Sequence, residues 1–402
     1  MRFVAIQLPV YPLPKDDPAT PTGIACAELR ATRPVSRVVL PSGHQAWLVS
    51  RYDDVRTVLS DQRFSRYLFY PGAPCMIQPG DFSTGERSIL NLDPPDHTRL
   101  RRLSAKAFTA RRIEGMRGRI AEITAGLLDQ MSAKQPPVDL IEEFAFPLPT
   151  AVICELLGVP FDDRERFRAW STVIVTPMQY GQPEVVAAQR DGAEDMRRLI
   201  ETKRRRPGDD LLSALIQARD DEDRLTEEEL VDLATQVLLA GHETTVSLIG
   251  TGVVLLMRHP EQLAALRANP ALVGQAVEEI LRYESPADTT LLRVATADIE
   301  LSGVRIGKGE AVIAVTGSAN FDENHFADPK TFDITRIHNP HMGFGHGIHF
   351  CIGAPLARVE GQIALAALLE RFPGLRLAVS PEEIVWRPPL SVRGPAAVPV
   401  TW

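Results

Sequence analysis

The chain has 402 residues and a formal net charge of −8, so it has no general electrostatic attraction to nucleic acid or to an anionic membrane. Its four cysteines are widely spaced and include no CxxC pair, which excludes a disulfide framework and suits a reducing compartment. We therefore expect a cytoplasmic globular protein that binds neither nucleic acid nor a membrane.

Residues 1–20 are predicted to form an extended N-terminal segment, because Pro9, Pro12 and Pro14 interrupt any helix. The segment lacks a signal-peptide pattern, and no later apolar run approaches the roughly 18 residues of a membrane span. No internal repeat, low-complexity tract or Gly/Ser linker divides the chain. The sequence therefore predicts one domain over residues 1–402.

The first elements are a predicted β-hairpin, Val35–Leu40 with Ala46–Val49, and a short helix that Asp53 caps and that ends near Ser60. Residues 64–90 contain several prolines and glycines and show no hydrophobic period. We expect a long loop there, of the kind that often covers a binding site.

The next helix begins after Asp93 or Asp96, either of which can cap it. His97 and Arg101 are four residues apart and share one face of this helix. Two hydrogen-bond donors on one face suit a ligand with a pair of carboxylates. The alternative is a basic face that only contacts solvent.

Further helices are predicted over 111–133 and 147–158, and two more lie between 162 and 204. Thr226 and Glu229 form a capping box that opens a helix of about 30 residues, about 45 Å long at 1.5 Å per residue. Its apolar middle predicts that this helix is buried.

Gly241, Glu243 and Thr244 lie in the middle of that long helix, against the usual helix propensities. Such local exceptions often mark a functional site. Glycine lets a flat ligand or dioxygen approach the backbone, and Thr244 can bond either a preceding carbonyl or a ligand. A tolerated helix bend is the alternative.

A helix is predicted over Val273–Tyr283, and it is followed by short strands at 293–295, 299–301, 304–306 and 312–315. The last residues, 377–402, are predicted to form a terminal hairpin that folds back over the site.

Cys351 follows a glycine-rich loop and precedes a helical run with Pro355 in its first turn. Gly345 and Gly347 allow left-handed turns or a close approach to a flat object. A helix N-terminus stabilises a thiolate, which suits a flat metal cofactor. The alternative is a small buried cysteine.

The pattern Phe344-x-x-Gly347-x-x-x-Cys351-x-Gly353 resembles the haem-binding loop of the cytochrome P450 superfamily. The stretch Ala240-Gly241-x-Glu243-Thr244 resembles its oxygen-activating helix. Five such motifs occur in family order over nearly the whole chain. The resemblance implies a mainly α fold with a small β-rich lobe, a triangular prism with haem between the long central helix and the cysteine-side helix.

The resemblance also implies the site residues. Cys351 would be the metal ligand of haem b, and Thr244 and Glu243 would be catalytic. The remaining cofactor-binding residues would be the propionate donors His97, Arg101, Arg293 and His349, together with Phe344, Gly353, Ala240 and Gly241. Glu279, Arg282 and Arg336 resemble a buried structural group.

The implied function is hydroxylation or epoxidation of a largely apolar small molecule with O2, in natural-product biosynthesis. Electrons would come from NAD(P)H through a ferredoxin reductase and a ferredoxin that docks on a basic patch, and the chain would be a monomer. The patch would comprise Arg99, Arg102, Arg111, Arg112 and Arg358. The substrate pocket would be lined by 64–90, 170–183, the segment before Gly241, Pro286–Leu292 and Leu390–Arg393.

Three alternatives remain. The same fold can catalyse oxidative coupling or ring closure without inserting oxygen. A peroxide-using variant is disfavoured by Glu243 and Thr244. A zinc-binding or structural module would use His338, His341, His346, His349 and Cys351.

Overall fold

The computed structural model describes residues 8–15, 17–78, 88–105, 108–175, 180–222, 225–387, 390 and 392–402. Its helices are α1 (Thr22–Ala25), α2 (Ala27–Thr32), α3 (Tyr52–Ser60), α4 (Asp96–Ala105), α5 (Ala110–Ser132), α6 (Pro147–Leu157), α7 (Arg164–Val175), α8 (Gln182–Arg205), α9 (Leu211–Glu222), α10 (Glu227–Arg258), α11 (Pro260–Ala268), α12 (Val273–Tyr283), α13 (Thr316–Ala319) and α14 (Ala354–Arg371). A π-helix, Ile141–Ala145, precedes α6.

The strands are short, and most of them follow the predicted positions. They are β1 (Val35–Val39), β2 (Gln45–Val49), β3 (Phe64–Ser65), β4 (Val138–Asp139), β5 (Arg293–Ala295), β6 (Ile299–Leu301), β7 (Val304–Ile306), β8 (Ala311–Ala314), β9 (Arg376–Leu377) and β10 (Pro399–Thr401). Part of the predicted 64–90 loop, 79–87, lies outside the described residues.

Contrary to the prediction from the sequence, Asp53 does not cap α3. The N-cap position of α3 is Arg51, and Asp53 lies within the first turn, where its carboxylate favours the positive end of the helix dipole. The Asp93 side chain also does not cap α4: its oxygens accept hydrogen bonds from the Ser65 hydroxyl and from Arg66 N, the latter at 3.0 Å.

The chain forms two compact units, each built from several chain segments. Unit 1 comprises Met1–Thr98, Arg282–Thr331 and His338–Cys351, and unit 2 comprises Arg99–Leu281, Phe332–Ile337 and Ile352–Trp402. Segments of unit 2 therefore lie between the three segments of unit 1 along the chain. The single domain over 1–402 stays a prediction.

Unit 1 contains the predicted β-rich lobe. Its sheet has the order β1-β2-β8-β5-β3, in which β2 and β8 are parallel and the other neighbours are antiparallel. The sheet and α3 bury a common apolar core that includes Val49, Val55, Val312 and Phe326. Burial of such side chains stabilises the lobe by about 1.5–3 kcal/mol each.

Unit 2 is helical, and α10 is its central element, in contact with α6, α8 and α14. The predicted capping box is confirmed, since Thr226 Oγ1 accepts from Glu229 N at 3.1 Å and Glu229 returns a bond to Thr226 N. Contrary to the expectation from the sequence, α10 is long and apolar enough to span a membrane, but 78% of its most apolar window is buried in the molecule. That burial is typical of a core helix.

Glu279 is the centre of a buried polar contact in unit 2. Arg336 Nε lies 3.1 Å from Glu279 Oε2, and the side chains are 10% and 1% exposed. Asp333 N donates to the other carboxylate oxygen at 3.0 Å. In unit 1, Arg282 donates to the carbonyl oxygens of Asn320, Pro329 and Thr331.

Replacing Glu279 should therefore destabilise the fold. Glu279→Ala leaves the buried Arg336 without its counter-charge, and we expect a loss of about 3–5 kcal/mol in the free energy of unfolding. The neighbouring Glu278 is the matched control, because its pair with Arg358 is about one third exposed. Glu278→Ala should cost about 0–1 kcal/mol in the same denaturant titration. Equal losses in the two variants would contradict the structural role of Glu279.

Candidate functional site

The loop before Cys351 contains two glycines whose backbone conformations turn the chain. Gly345 and Gly347 have φ of 73° and 72°, in the left-handed region that favours glycine. A β-carbon on Gly347 would collide with the carbonyl oxygen of Leu59 in α3. Cys351 N donates to Phe344 O at 2.9 Å, which closes the loop. The predicted left-handed turns are confirmed, and the close approach of Gly347 is to the backbone of α3.

Cys351 lies three residues before the first residue of α14, whose N-cap is Gly353 and whose first turn contains Pro355. It is exposed, whereas Cys26, Cys75 and Cys154 are buried. Burial raises the pKa of the Cys26 and Cys154 thiols to about 11, so those two do not form thiolates at neutral pH. The alternative of a small buried cysteine at 351 is therefore wrong.

Two predicted propionate donors are in contact within unit 1. The ring centroids of His97 and His349 are 4.2 Å apart, and His97 is buried. Arg101 lies one turn after His97 in α4 and is half-buried. His97 and Arg101 therefore lie on the same face of α4, as their four-residue spacing predicts.

Arg293 in β5 is a buried cation. Its Nη1 donates to Phe64 O at 3.0 Å, while Nε has no hydrogen-bond partner in the described part of the chain. Burial lowers the pKa of Arg293 to about 10. A guanidinium in these surroundings favours an anionic ligand, because a buried charge is costly without a partner.

Three residues in the middle of α10, Ala240, Gly241 and Thr244, are accessible and form what we call the open stripe. Ala240 is exposed and Gly241 and Thr244 are half-buried, although most of the helix around them is buried. Thr244 Oγ1 donates to Ala240 O at 3.0 Å. A β-carbon on Gly241 would lie 2.6 Å from Ile153 Cδ1, so this glycine also permits the close packing of α6.

Glu243 lies on the buried side of the same turn. Its Oε2 accepts from Arg387 Nη1 at 2.5 Å, and the two side chains are 4% and 9% exposed. The adjacent His242 is also buried. No sequence motif singled out Arg387 or His242 as a functional residue. Arg387 is 144 residues away in sequence. It is one of several charged residues in the terminal hairpin, with Glu382, Glu383 and Arg393, so no local pattern distinguishes it.

These features suit haem. An exposed cysteine at a helix N-terminus can supply a thiolate, and the buried Arg293 with an unpartnered nitrogen suits a propionate. The small residues of the α10 stripe leave backbone accessible to a flat ligand. Among the described residues no group of three or more His, Cys, Asp or Glu side chains could hold a metal ion, so the zinc alternative has no ligand cluster.

Comparison with known proteins identifies the family. The family model described as Cytochrome P450 matches residues 165–382. The chain belongs to the cytochrome P450 family.

Two relatives and one solved structure illustrate the similarity. Nocardicin C N-oxygenase of Nocardia uniformis subsp. tsuyamanensis is 47% identical over 94% of this chain and 94% of that protein. Mycinamicin IV hydroxylase/epoxidase of Micromonospora griseorubida is 46% identical over 93% of this chain and 94% of that protein. The structure of the putative thioether synthase SgvP, involved in the tailoring step of griseoviridin, has a TM-score of 0.93 and 43% identity, covering 98% and 100% of the two chains.

As a cytochrome P450, the protein is a haem-thiolate monooxygenase that uses haem b and receives electrons from NAD(P)H through redox partners. The predicted fold class, mainly α with a small β lobe, is confirmed by the helices of unit 2, the sheet of unit 1 and the similarity to solved P450 structures.

The two glycines of the P450 loop provide a matched test of its packing. Gly345→Ala adds a β-carbon in open space, so it should cost only the left-handed conformation, about 1–2 kcal/mol. Gly347→Ala carries that cost and also displaces the α3 backbone. We expect Gly347→Ala to lose more unfolding free energy and most of its haem, measured by denaturation and haem content. Similar losses in both variants would contradict the close contact.

Proposed function

We propose that this cytochrome P450 inserts one oxygen atom into a largely apolar natural product, by hydroxylation or epoxidation. The observation that carries the proposal is the exposed Cys351 on a glycine-closed loop at the start of α14. The spaced cysteines suit a reducing compartment, and we propose a cytoplasmic monomer.

We assign the haem-binding roles as follows. Cys351 would be the thiolate ligand, and the N–H groups of the loop and of the first turn of α14 would moderate its charge. Phe344, Gly353, Ala240 and Gly241 would be further haem-binding residues. His97, Arg101, Arg293 and His349 would neutralise the propionates. Bound haem with a thiolate ligand supplies the cleavage of dioxygen that this chemistry requires.

Thr244 and Glu243 would deliver protons. The Thr244 hydroxyl now bonds Ala240 O in the preceding turn and is half-exposed, so it can also bond a ligand on the open stripe. Glu243 would take protons from solvent and pass them toward Thr244. A carboxylate held by a buried guanidinium is kept in a fixed position for that transfer.

The proposed substrate class is based on the known substrates in the names of similar proteins. The relatives include mycinamicin IV hydroxylase/epoxidase and nocardicin C N-oxygenase, which are named for oxidations of natural products. Among the residues predicted to line the pocket, Leu238 and Leu292 are buried and Leu291 is half-buried, while Met178 lies outside the described residues. These apolar side chains suit a scaffold of that kind, free or attached to a carrier.

We propose a ferredoxin, reduced by an NAD(P)H-dependent reductase, as the electron donor. The expected basic patch is smaller than the sequence suggests. Arg99 pairs with Glu229, Arg112 with Asp209, and Arg358 with Glu278. Arg102 and Arg111 are exposed. They are therefore the stronger candidates for attracting an acidic partner.

A second candidate is bond formation without oxygen insertion. It is favoured by the similarity to SgvP, which is described as a putative thioether synthase. Both candidates use the same haem and cysteine, so the site residues do not separate them.

The first test concerns the metal ligand. Cys351→Ala should remove the thiolate, so the reduced carbonyl complex should lose the red-shifted Soret band that thiolate ligation produces. Cys154→Ala is the control, because Cys154 is buried in α6 and burial raises the pKa of its thiol to about 11, so it does not supply a thiolate. It should keep that band at a small cost in stability. An unchanged band in Cys351→Ala would contradict the assignment.

The second test separates oxygen insertion from coupling. The purified protein, ferredoxin and reductase are incubated with macrolide and peptide scaffolds under isotopically heavy dioxygen. We expect a product that gains one heavy oxygen atom, measured by mass spectrometry. A product that loses hydrogen and gains no label would favour the coupling alternative.

A further inference from the structure

The N-terminal part of the chain is attached to the edge of the sheet in unit 1. Tyr11 N donates to Val39 O at 2.8 Å, and Val39 N donates to Pro9 O at 2.9 Å, so the chain there pairs with β1. We call residues 9–15 and 17–22 the N-terminal strap. Its backbone is bound to the sheet, which leaves its side chains to contact other parts of unit 1.

Two side chains of the strap bind consecutive residues of Pro286–Leu292, the predicted lining of the substrate pocket, which we call the wall segment. Tyr11 Oη donates to Thr289 Oγ1 at 3.1 Å across 278 residues of sequence, and Thr22 Oγ1 donates to Asp288 Oδ2. Tyr11 and Thr22 are buried. Burial and the nearby charge of Asp288 raise the pKa of Tyr11, so its hydroxyl keeps its proton and remains a donor.

Lys15 orients the Thr22 hydroxyl. Its Nζ donates to Thr22 Oγ1 at 2.8 Å and to Thr20 O at 3.0 Å. An ammonium group can only donate, so Thr22 Oγ1 accepts from Lys15 and gives its own proton to Asp288. Hydrogen bonds to charged groups are stronger than those between neutral groups, and this hydroxyl makes one to a cation and one to an anion.

The main chain of the wall segment is attached separately, to α13. Gly317 N donates to Asp288 O at 2.7 Å. A β-carbon on Gly317 would lie 3.0 Å from Asp288 Cβ and 3.2 Å from Thr22 Cβ, so the strap, the wall segment and α13 pack closely. The wall segment ends one residue before Arg293, a proposed propionate donor. A displacement of this segment would therefore change the space next to the proposed haem site.

We propose that Tyr11 and Thr22 are specificity-determining residues that act by positioning. They hold Thr289 and Asp288 and thereby preorganise the wall segment for bulky ligands, which bind more tightly to a wall that is already in place. A small ligand that binds next to the iron does not depend on them. This inference rests on the proposed haem site and on the predicted lining role of the wall segment.

The test uses the ferric holoenzyme and two azoles, which bind haem iron through nitrogen and shift the Soret band. Imidazole is small and clotrimazole is bulky, so only clotrimazole should need the wall. Tyr11→Phe and Thr22→Val each remove one hydroxyl and nearly keep the shape of the side chain. Each should raise the Kd of clotrimazole about three- to tenfold, the effect of one lost hydrogen bond, and leave that of imidazole within about twofold.

Two further variants test whether the hydroxyl itself is responsible. Thr22→Ser retains the hydroxyl and should keep the parent's ratio of the two Kd values. Thr32→Val is the matched control, because Thr32 Oγ1 bonds Glu28 O within its own helix, α2. It should leave the ratio unchanged. A ratio in Thr22→Ser that equals the ratio in Thr22→Val would contradict the role of the hydroxyl.

A destabilised variant separates positioning from a general loosening of unit 1. Trp47→Phe removes the bond from Trp47 Nε1 to Glu310 in the sheet. It should lower the melting temperature and leave the ratio of the two Kd values unchanged. A change of ratio in Trp47→Phe as large as that in Tyr11→Phe would overturn the proposal.

The outcomes distinguish this inference from the proposed function. A purified parent protein that takes up no haem would overturn the proposed haem site, and the inference with it. If the parent binds both azoles and Tyr11→Phe and Thr22→Val keep its ratio of Kd values, only the role of the strap is overturned.

Discussion

A buried helix with a polar centre is the constraint on which unit 2 depends. α10 has 32 residues and packs against α6, α8 and α14 among other helices, so its apolar residues build the core on most sides. One turn departs from that rule: Ala240, Gly241 and Thr244 face an open stripe, while Glu243 on the opposite side needs a counter-charge. The terminal hairpin supplies it through Arg387. The last part of the chain therefore stabilises a charge that the central helix could not bury alone.

The position of Cys351 depends on the backbone geometry of the loop that precedes it. Two glycines in left-handed conformations turn the chain so that Cys351 is exposed just before α14 begins. Gly347 is in contact with the end of α3, so the position of the loop depends on the sheet lobe and its helix. Cys351, the proposed haem ligand, is thereby held in place by unit 1, although the residues that follow it belong to unit 2.

Much of this architecture could be predicted from local sequence patterns. The bounds of α12, β5, β6 and β7 agree with the hydrophobic patterns, and the Thr226 capping box fixes the start of α10, since these depend on neighbours in sequence. The cysteine, threonine and acid were found through motifs. Arg387 was not, because its partner is 144 residues away and no local pattern encodes that distance. The packing of Gly241 against Ile153 was missed for the same reason.

The parallel pairing of β2 and β8 has a consequence for how the chain is made. Trp47 donates from Nε1 to Glu310 at 2.7 Å across 263 residues of sequence, and most of unit 2 is synthesised between them. The first hairpin therefore leaves the ribosome long before its sheet partner exists, with one strand edge unpaired. Non-local strand pairing is slow, because the chain must close a large loop before it gains the contacts. Residues 99–281 of unit 2 are also synthesised before β8, whereas the cysteine loop is synthesised after it. The sheet and the α3 backbone that Gly347 contacts can therefore be complete when that loop emerges.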